Sequence, residues 1–596
     1  MLKEVRTKFE KLGITSFCEL ALLTPHSYED YRLHQHFLPN QPQLIDATIK
    51  RVFFSGKSIQ LTFFAHNLDQ IVFAVIFQPK PYMRHQFHEG DRAFFYGVIE
   101  QKMGKLQMSM PKKVTQIGSI TPKYKLPLRS DAAFRFIQKY LTQENLTKEG
   151  LKQNIIEQLL EIHNPSTNFQ GLNEAKQKAL KYTELFNYMK QLSQKRRYFK
   201  PLKQLQPTYN SWLQTLPFTL TSEQLKAIED IASDLSNDVA AKRMVVGDVG
   251  SGKTMVILAT AFMNKENKTI LMAPTTILAN QLFEEAQKFL PTLKTTLVTN
   301  KTKKIDLEEF DFIIGTHALL YRELPQASVV MVDEQHRFGT LQRNMLEKLV
   351  TSSELRPHYF QFSATPIPRT QAMIETAHID VSLITSTPFK KDITSKVIQK
   401  KDFKALLEHI KKELALNNQV LLVYPLVEQS EAFAYQSLEE ARGYWEKNFD
   451  DVYVTHGKDK EKEKVLLDFR EKGRILLATT VIEVGISLPR LSTVVIVGAE
   501  RLGLSTLHQL RGRVSRTGLK GYCFLYTNQE KSQRLESFAQ TPSGFDIANL
   551  DLQYRKSGDL LKGVQQSGSA FKFVDIAQDE AIVKEVKQDL QKIDVE

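Results

Sequence analysis

The octapeptide GDVGSGKT, Gly247 to Thr254, lies between the apolar run RMVV and a second apolar run, TMVILATAFM. Its spacing matches G-x-x-x-x-G-K-[ST], a loop whose backbone N–H groups surround phosphate oxygens and whose glycines allow that close approach. The loop requires a β-strand before it and a helix after it, and the N-terminus of that helix adds partial positive charge. A chance glycine-rich turn is the alternative, but the flanking apolar runs disfavour it. The segment therefore predicts a parallel α/β domain with a nucleotide site.

Every residue of this loop is a candidate for ATP binding. We expect Lys253 to reach the β- and γ-phosphates and Thr254 to bind Mg²⁺ through its hydroxyl. The rest of the predicted phosphate-binding set is Gly247, Asp248, Val249, Gly250, Ser251 and Gly252.

A second strand-like run, VVMV, ends in the acidic pair Asp333 and Glu334. Ligands bind at the carboxyl ends of strands in open α/β sheets, so we expect this pair at the same edge as the phosphate loop. Asp333 is suited to Mg²⁺, and Glu334 to orienting or deprotonating an attacking water. A solvated loop is the usual meaning of such a pair, but the phosphate loop upstream in the same domain disfavours it.

The segment HQLRGRVSR holds three arginines within six residues. An arginine presented to a γ-phosphate stabilises charge in the transition state and contributes ~10³–10⁵ in rate. A basic surface helix is the alternative for this segment taken alone. If ATP lies between two domains, hydrolysis would release them from one another and turn chemistry into motion. The predicted catalytic set is Lys253, Asp333, Glu334, Arg513 and Arg516.

Strand-like and helix-like segments alternate from about residue 206, which predicts parallel sheets covered on both faces. A polar stretch, STPFKKDITSK, separates two such series and predicts two α/β lobes. Before them, residues 44–115 hold five short runs rich in β-branched and aromatic residues, which fit a small barrel of the oligonucleotide-binding type. The predicted division is 1–40 (helical), 41–125 (barrel), 126–205 (helical connector), 206–388 (ATP-binding lobe), 389–540 (C-terminal lobe) and 541–596 (tail).

Positive charge is concentrated in the predicted barrel. The whole chain of 596 residues has a formal net charge of +13. Residues 41–130 hold thirteen Lys and Arg against five Asp and Glu, a net charge of +8. Such a segment indicates either a polyanion partner, most often nucleic acid, or simply a basic solvated face.

The composition excludes several other classes of protein. With 42% hydrophobic and 25% charged residues, the chain is neither largely disordered nor collagen-like. Cys18 and Cys523 are its two cysteines, too few for a disulfide framework or a zinc cluster. No apolar run reaches the roughly 18 residues that a membrane helix needs, and the charged N-terminus lacks a signal-peptide core. We therefore expect a cytoplasmic protein without a membrane partner.

The order of the motifs resembles that of superfamily 2 helicases. The matching segments are LPFTLTSEQ, GDVGSGKT, APTTILANQ, GTHALL, DEQHRFG, SATPIPRT, TTVIEVGIS and HQLRGRVSR. Three of these segments, DEQHRFG, SATPIPRT and the longer AERLGLSTLHQLRGRVSR, resemble those of the branch-migrating DNA translocases. That group includes the RecG family and transcription-repair coupling factors. LGITSFCELALLTPHSYEDYR and the tail SGFDIANLDLQYRKSGDLLKGVQQSG favour the RecG family. The resemblance implies two RecA-like α/β lobes with parallel sheets, preceded by an OB-fold-like β-barrel wedge domain with flanking helices.

The resemblance also implies roles for individual residues. Gln224 would read adenine, with Gln335, His336 and Gln509 also at the ATP site. Ser363, Thr365 and Gln565 would couple hydrolysis to movement. The implied DNA contacts are Pro274, Thr275, Gly315, Thr316, Thr479 and Thr480 in the lobes, with Phe77 and Tyr82 in the barrel. The alternative roles of these residues are structural: helix caps, strand ends and turns, and for Phe77 a place in the barrel core.

Four features of the sequence depart from the family pattern. Ser487 stands where the family usually has Asp or Asn, and Ser515 replaces the usual glycine of the last motif. RKSGD replaces an RGPGE-like run in the tail. Phe77 and Tyr82 are one residue further apart than is usual in the family. The sequence therefore leaves open which of the two stacks on a base, but Tyr82 is favoured because it follows two prolines.

The resemblance implies an ATP- and Mg²⁺-dependent double-stranded DNA translocase that unwinds stalled forks and moves Holliday junctions in recombination and repair. We expect a monomer that binds branched DNA. A contact with single-strand-binding protein is a further expectation. A transcription-repair translocase or an RNA helicase would share the ATP site without the wedge. A non-catalytic nucleic-acid scaffold is the remaining alternative, which the intact Lys253, Asp333, Glu334 and Arg513 disfavour.

Overall fold

The computed structural model describes residues 3–55, 57–196, 198–334, 338, 342, 355–365, 367–389, 391–427, 435–479, 487–515, 518–562 and 571–593. The chain forms two compact units. The first comprises Met1–Lys190, Ala570–Asp575 and Ala581–Glu596, and the second comprises Gln191–Ser569 and Ile576–Glu580.

A closed β-barrel forms the centre of the first unit. Its strands are β2 (Pro42–Ser55), β3 (Ser58–Ala65), β4 (Gln70–Phe77), β5 (Arg92–Lys102) and β6 (Lys105–Val114), in the order β2-β3-β4-β6-β5. Alternate side chains such as Phe63, Phe95 and Met108 fill its interior. Outside the barrel, β1 (Ser27–Asp30) pairs antiparallel with β7 (Ile120–Lys123).

Helices flank the barrel in sequence. They are α1 (Lys3–Leu12), α2 (Phe17–Ala21), α3 (Ser130–Tyr140), α4 (Gln143–Lys148), α5 (Gln153–His163) and α6 (Glu174–Ser193). Apolar residues at helical spacing bury one face of α5, including Ile155, Leu159 and Ile162.

The first lobe of the second unit is built on a parallel sheet in the order β11-β12-β10-β13-β15-β9-β16. Its central strands are apolar on both faces because helices cover both. Its elements are β8 (Lys200–Pro201), α7 (Asn210–Leu213), α8 (Ser222–Ser236), β9 (Lys242–Gly247), α9 (Lys253–Met263), β10 (Thr269–Met272), α10 (Thr276–Phe289), β11 (Thr295–Val298), β12 (Phe312–Gly315), β13 (Val329–Asp333), β14 (Leu355–Arg356), β15 (His358–Ser363), α11 (Arg369–Glu375) and β16 (Asp380–Ile384).

The second lobe repeats this architecture with the strand order β17-β22-β21-β18-β20-β19. All of its strand pairs are parallel. Its elements are β17 (Ile393–Ile398), α12 (Phe403–Ala415), β18 (Gln419–Tyr424), α13 (Leu438–Asn448), β19 (Val452–Thr455), α14 (Lys462–Glu471), β20 (Ile475–Thr479), β21 (Leu491–Val497), α15 (Leu504–Arg511), β22 (Gly521–Tyr526), α16 (Gln533–Gln540) and α17 (Gly544–Lys562).

The end of the chain returns to the first unit. Its last helix is α18 (Glu580–Ile593), and Tyr182 of α6 donates to Asp589 of this helix at 2.9 Å. The Glu184 carboxylate accepts from the backbone N–H groups of Phe573 and Val574 at 2.7 and 3.0 Å. These contacts attach the C-terminal segment to the helical part of the first unit.

The predicted fold class is confirmed: two parallel α/β lobes follow a β-barrel flanked by helices. Five strands of the lobes were not predicted, β8, β11, β14, β16 and β17, because each is short or only partly apolar. The segment that opens the tail is rich in Gly, Ser, Asp and Lys and was not predicted to be helical, but it forms α17, which is 19 residues long. No helix in the described part of the chain combines the length and apolar character that a membrane crossing requires.

Candidate active site

The phosphate loop joins β9 to α9 at the carboxyl edge of the first sheet. Gly250 and Gly252 both have a φ of +78°, a conformation that side chains with a Cβ rarely adopt. A Cβ on Gly247 would lie 2.3 Å from the hydroxyl oxygen of Ser251, so the Ser251 side chain would have to move to admit it. Lys253 Nζ donates to Gly247 O at 2.8 Å. The backbone of the loop therefore surrounds Lys253, the lysine that was predicted to reach a phosphate.

Gln224 is fixed against this loop from α8. Thr221 and Gln224 form a capping box, in which Gln224 Oε1 accepts from the Thr221 N–H at 2.8 Å. The other end of the amide, Nε2, donates to Ser251 O at 2.7 Å. A Cβ on Gly252 would lie 2.2 Å from the same Nε2 atom. Both polar atoms of the predicted adenine-reading side chain are thus held in place.

The acidic pair lies at the end of β13. Asp333 is buried, and its Oδ1 accepts from the Glu334 N–H at 3.0 Å. Burial, and next the Glu334 carboxylate, raises the pKa of Asp333 to about 7, although the charge of Lys253 opposes the shift. Glu334 has a φ of +49°, and its Oε2 accepts from the Ala364 N–H at 3.1 Å. The strained backbone turns Glu334 toward the segment that follows β15.

These residues also fit a magnesium ion. A buried carboxyl with a raised pKa gains from a nearby cation, and Thr254 offers a hydroxyl from the first turn of α9. Within the described ranges, no three or more His, Cys, Asp or Glu side chains group together as a metal cage. Mg²⁺ seldom needs such a cage, because it is usually bound through one or two carboxylates together with substrate phosphates and water.

Asp248 connects the phosphate loop to the second lobe. His508 Nε2 donates to Asp248 Oδ1 at 2.5 Å, and the Gly544 N–H donates to the other carboxylate oxygen at 2.9 Å. Burial alone would raise the pKa of Asp248, but the hydrogen bond from His508 and those from backbone N–H groups lower it to about 2. Burial lowers the pKa of His508, whose Nδ1 accepts from Arg511 Nη2 at 3.0 Å. The arrangement is therefore a neutral histidine that donates to an ionised carboxylate.

Two further contacts join the lobes beside the loop. Gln509 Nε2 donates to Thr365 Oγ1 at 3.1 Å, so the predicted ATP-site glutamine reaches the predicted coupling segment. In that segment the Ser363 hydroxyl accepts from the Thr365 N–H at 3.2 Å. Lys391, in the linker, donates to Val249 O at 2.6 Å. The loop, the segment after β15 and the end of α15 therefore form one connected region.

The end of α15 packs directly on the phosphate loop. A Cβ on Gly512 would lie 2.7 Å from Val249 Cγ1, so only glycine allows this approach. Arg513 follows at once and is buried. Ser515 has a φ of +62°, which explains why glycine is usual at this position and why serine is strained. The sequence departure at Ser515 thus has a backbone cause.

Four of the six predicted strand-tracking residues line a cavity of about 410 Å³ in the second unit. Pro274, Thr275 and Thr316 come from the first lobe and Thr479 from the second. Thr275 and Thr316 are N-caps of helical turns, and Gly315 precedes Thr316 at the end of β12. The cavity also contains residues that the motifs did not single out: Asn300, His317, Thr455, His456, Lys462 and Glu463.

Both predicted stacking residues of the barrel are exposed. Phe77 ends β4 with 58% of its surface accessible, and Tyr82 lies in a short 3₁₀ helix, Pro81–His85, with 54% accessible. The barrel-core alternative for Phe77 is therefore wrong, because the alternation along β4 points this side chain outward. Tyr82 is at the surface, as its position after two prolines indicated.

Five predicted site residues lie outside the described part of the chain: Gln335, His336, Thr480, Arg516 and Gln565. Conversely, sequence reasoning missed His508, Arg511 and the partners of Asp248. His508 and Arg511 stand within HQLRGRVSR, so the motif contained the signal. The hydrogen bond from His508 to Asp248 joins residues that are 260 positions apart, and no sequence pattern predicts it.

Comparison with known families agrees with this geometry. Residues 221–374 match the DEAD/DEAH box helicase family, and residues 401–518 match the helicase conserved C-terminal domain. Residues 541–595 match the domain described as ATP-dependent DNA helicase RecG, domain 3, C-terminal. This last match distinguishes the RecG family from other superfamily 2 translocases.

Complete relatives show the same similarity. The ATP-dependent DNA helicase RecG of Helicobacter pylori strain 26695 is 44% identical, with 99% of this chain and 98% of that protein aligned. The protein of the same name from Streptococcus pneumoniae is 31% identical over 98% of this chain and 92% of its own length. A solved structure of RecG bound to a three-way DNA junction has 27% identity and a TM-score of 0.56, over 98% of this chain and 84% of that one. The chain therefore belongs to the RecG family of ATP-dependent DNA helicases.

Proposed function

We propose that this chain translocates on double-stranded DNA and remodels branched DNA, by unwinding stalled replication forks and branch-migrating Holliday junctions. The observation that carries the proposal is the direct contact of α15 with the phosphate loop through Asp248 and His508, in a chain that also has a basic barrel. A relative in the same family was solved on a three-way DNA junction, which supports a branched substrate.

ATP hydrolysis would use side chains of both lobes. Lys253, which now donates to backbone oxygens of its own loop, would transfer its hydrogen bonds to phosphate oxygens. Glu334 would orient and deprotonate the attacking water, since its carboxylate is already held by the Ala364 N–H. Arg513 and Arg516 would stabilise charge as it develops in the transition state. Thr254 and Asp333 would hold Mg²⁺, which when bound neutralises charge on the phosphates.

Movement would follow from the contacts that join the lobes beside ATP. Gln509 bonds Thr365, and His508 bonds Asp248, so a change in the phosphate loop reaches α15 directly. The Gly544 N–H extends the second connection to the start of α17. Residues 541–596, with Gln565 among them, would therefore receive the movement that hydrolysis produces.

The cavity lined by Pro274, Thr275, Thr316 and Thr479 would hold the phosphate backbone of the tracked strand. The N-cap positions of Thr275 and Thr316 place backbone N–H groups and helix dipoles near that cavity, which favours phosphate. Gly315 and Thr480 complete the proposed set. Contacts to phosphate carry no base preference, so this grip would be independent of sequence.

The barrel would act as the wedge that splits strands at the branch point. Phe77 and Tyr82 present exposed rings on which bases could stack, and base stacking is tolerant of sequence. Within the proposed domain division, residues 41–125 are this wedge, 206–388 bind ATP and 389–540 form the second motor lobe. A monomeric state, a contact with single-strand-binding protein and a cytoplasmic location stay predictions.

One comparison of substrates tests the proposal. The ATPase rate of the purified chain should be stimulated most by a model fork, less by linear duplex, and least by single-stranded DNA or RNA. Stimulation by RNA equal to that by a fork would instead indicate an RNA helicase. The absence of ATP hydrolysis on every substrate would indicate a scaffold.

A further inference from the structure

A further cavity lies in the first lobe, at the edge of the sheet opposite to the phosphate loop. Its volume is about 590 Å³, within the usual range of small-molecule sites. It is lined by residues near the amino ends of β9, β15 and β16, by the end of α8 and by the segment that follows α6. Since the phosphate loop follows the carboxyl end of β9, the length of this strand, about 20 Å, separates the cavity from the ATP site. We call this space the amino-edge cavity.

Two residues of the amino-edge cavity have a buried nitrogen atom that bonds to no described residue. These atoms are Nε of Arg356 and Nδ1 of His378. The guanidinium of Arg356 lies over the Phe199 ring, with Cζ 4.8 Å from the ring centre. A buried polar atom without a partner costs free energy, and in native proteins it often marks a bound water or ligand. The wall of the cavity therefore has hydrogen-bonding capacity that the protein itself does not use.

Two of the three carboxylates of the cavity are already neutralised by arginines. Arg243 Nε and Nη2 donate to the two carboxylate oxygens of Asp234 at 2.5 and 2.9 Å. Arg196 Nη2 donates to Asp380 at 2.6 Å. The third carboxylate, Asp238, is exposed to solvent, which screens its charge. These groups therefore oppose the entry of an anion only weakly.

Three cationic side chains remain for a ligand, those of Lys195, Lys242 and Arg356. Neither lysine forms an ion pair within the ranges that the structure describes. The charges of both reach His378: burial lowers its pKa, the Glu375 carboxylate opposes the shift, and Lys242 and Lys195 add to it. Positive charge together with unused hydrogen bonds suits a phosphate group.

An aromatic ring and a hydrogen-bond acceptor distinguish this cavity from a simple anion pocket. Tyr198 is 67% exposed beside it, so a planar base can stack on the ring. The neutral His378 ring has Nε2 3.4 Å from the Glu375 carboxylate, which assigns the proton to Nε2. Nδ1 is then an acceptor for a hydroxyl or amino group. A nucleotide carries a phosphate, a planar base and sugar hydroxyls together.

We propose that the amino-edge cavity is a second ligand site and that it binds a nucleotide other than the ATP that is hydrolysed. The phosphate lies against Arg356, Lys242 and Lys195. The base stacks on Tyr198, and a sugar hydroxyl donates to His378 Nδ1. The inference goes beyond the proposed function, because binding here requires neither DNA nor hydrolysis.

The test is isothermal titration calorimetry of the full chain with guanosine 5′-monophosphate, without DNA. This probe lacks the β- and γ-phosphates that a phosphate loop holds, so its binding reports on a different site. We expect one molecule to bind with a Kd below about 1 mM, and inorganic phosphate or guanosine alone to bind at least about tenfold more weakly. Lys253→Ala should leave the Kd for this probe unchanged.

Substitutions in the cavity locate the bound probe. Arg356→Gln should raise the Kd at least about tenfold, because a hydrogen bond to a charged group is lost. Tyr198→Ala should raise it about 5- to 100-fold, the effect of losing one stacked base. The matched controls are Arg442→Gln, which removes an exposed arginine of the second lobe, and Tyr321→Ala, which removes a ring that is 77% exposed in the first lobe. Both controls should keep the Kd of the unmodified chain.

A Kd above about 1 mM, or an unchanged Kd in both Arg356→Gln and Tyr198→Ala, would overturn the inference. Loss of binding in Lys253→Ala would place the probe in the phosphate loop and would overturn it as well. If Arg356→Gln lowers the melting temperature, the exposed Tyr198 decides alone, and an unchanged Kd in Tyr198→Ala then refutes the site. Substitutions that weaken binding of a blunt DNA duplex but not of the nucleotide would assign the cavity to a DNA phosphate and refute the inference.

Discussion

Replacing His508 with alanine removes the side chain that joins the second lobe to the phosphate loop. His508 Nε2 donates to Asp248 Oδ1 at 2.5 Å, while its Nδ1 accepts from Arg511 at 3.0 Å. Both His508 and Asp248 are buried, so water does not replace the lost hydrogen bond at low cost. After the substitution, Asp248 would retain only backbone donors, namely the N–H groups of Val249 and Gly544.

The expected loss of stability is about 2–3 kcal/mol in the second unit. A hydrogen bond to a charged group is worth about 1.5–3 kcal/mol. The pKa of Asp248, lowered from its ordinary value of 3.8 to about 2, agrees in direction, because the hydrogen bond from His508 is one of the contacts that lower it against the effect of burial. Because the pKa is lowered in the folded state, this contribution is present above about pH 4 and is lost as the pH falls toward 2.

Tryptophan fluorescence during urea unfolding measures this loss, because the chain has two tryptophans and both are buried in the second unit. Trp212 reports on the first lobe and Trp445 on the second. The KM for ATP should also rise about tenfold, since the shape of the loop depends on Asp248. His508→Gln, which keeps a donor, should recover part of both effects.

His409→Ala is the matched control. His409 is a partly buried histidine of the second lobe, and its Nε2 on α12 lies 3.0 Å from the hydroxyl of Thr493 on β21. It should lose some stability but keep the KM for ATP of the unmodified chain. If His508→Ala resembled this control in both measurements, the inferred connection between α15 and the phosphate loop would be refuted.

Three other substitutions test the site. Ser515→Gly should stabilise the second lobe by about 1 kcal/mol, because it relieves a φ of +62°; a loss of stability in urea unfolding would contradict this reason. Gly252→Ala should weaken binding of a fluorescent ATP analogue at least about tenfold, since its Cβ would lie 2.2 Å from Gln224 Nε2; unchanged affinity would show that this contact is not needed. Arg513→Ala should lower turnover at saturating ATP by about 10³ and affect affinity much less. A pure loss of affinity would assign Arg513 a structural role.

The sequence predicted the local segments that meet at the candidate ATP site, while the roles of their individual residues stay predictions. The phosphate loop and the acidic pair are local patterns, in which a strand, a turn and a few side chains suffice to define the chemistry. The barrel was also predictable, because the period of two along segments such as IVFAVIF is imposed by the strand itself. The same alternation placed Phe77 outward, a consequence that the sequence motifs alone left open.

Contacts between distant segments were not predictable in this way. Asp248 and His508 are 260 residues apart, and only the packing of two lobes brings them together. Helix α17 was not predicted, because its sequence is largely polar. The helix packs on α15, and this packing rather than intrinsic propensity stabilises it. Short edge strands such as β11 and β16 carry too few residues for a clear period.

The most direct test of the central claim is ATP-driven movement of a Holliday junction, measured together with ATP hydrolysis on one preparation. The unmodified chain should hydrolyse ATP and separate the junction into forked duplexes, whereas Glu334→Gln should bind ATP and the junction but do neither. Junction movement by Glu334→Gln at the rate of the unmodified chain, or ATP hydrolysis by the unmodified chain without any movement of the junction, would contradict the account.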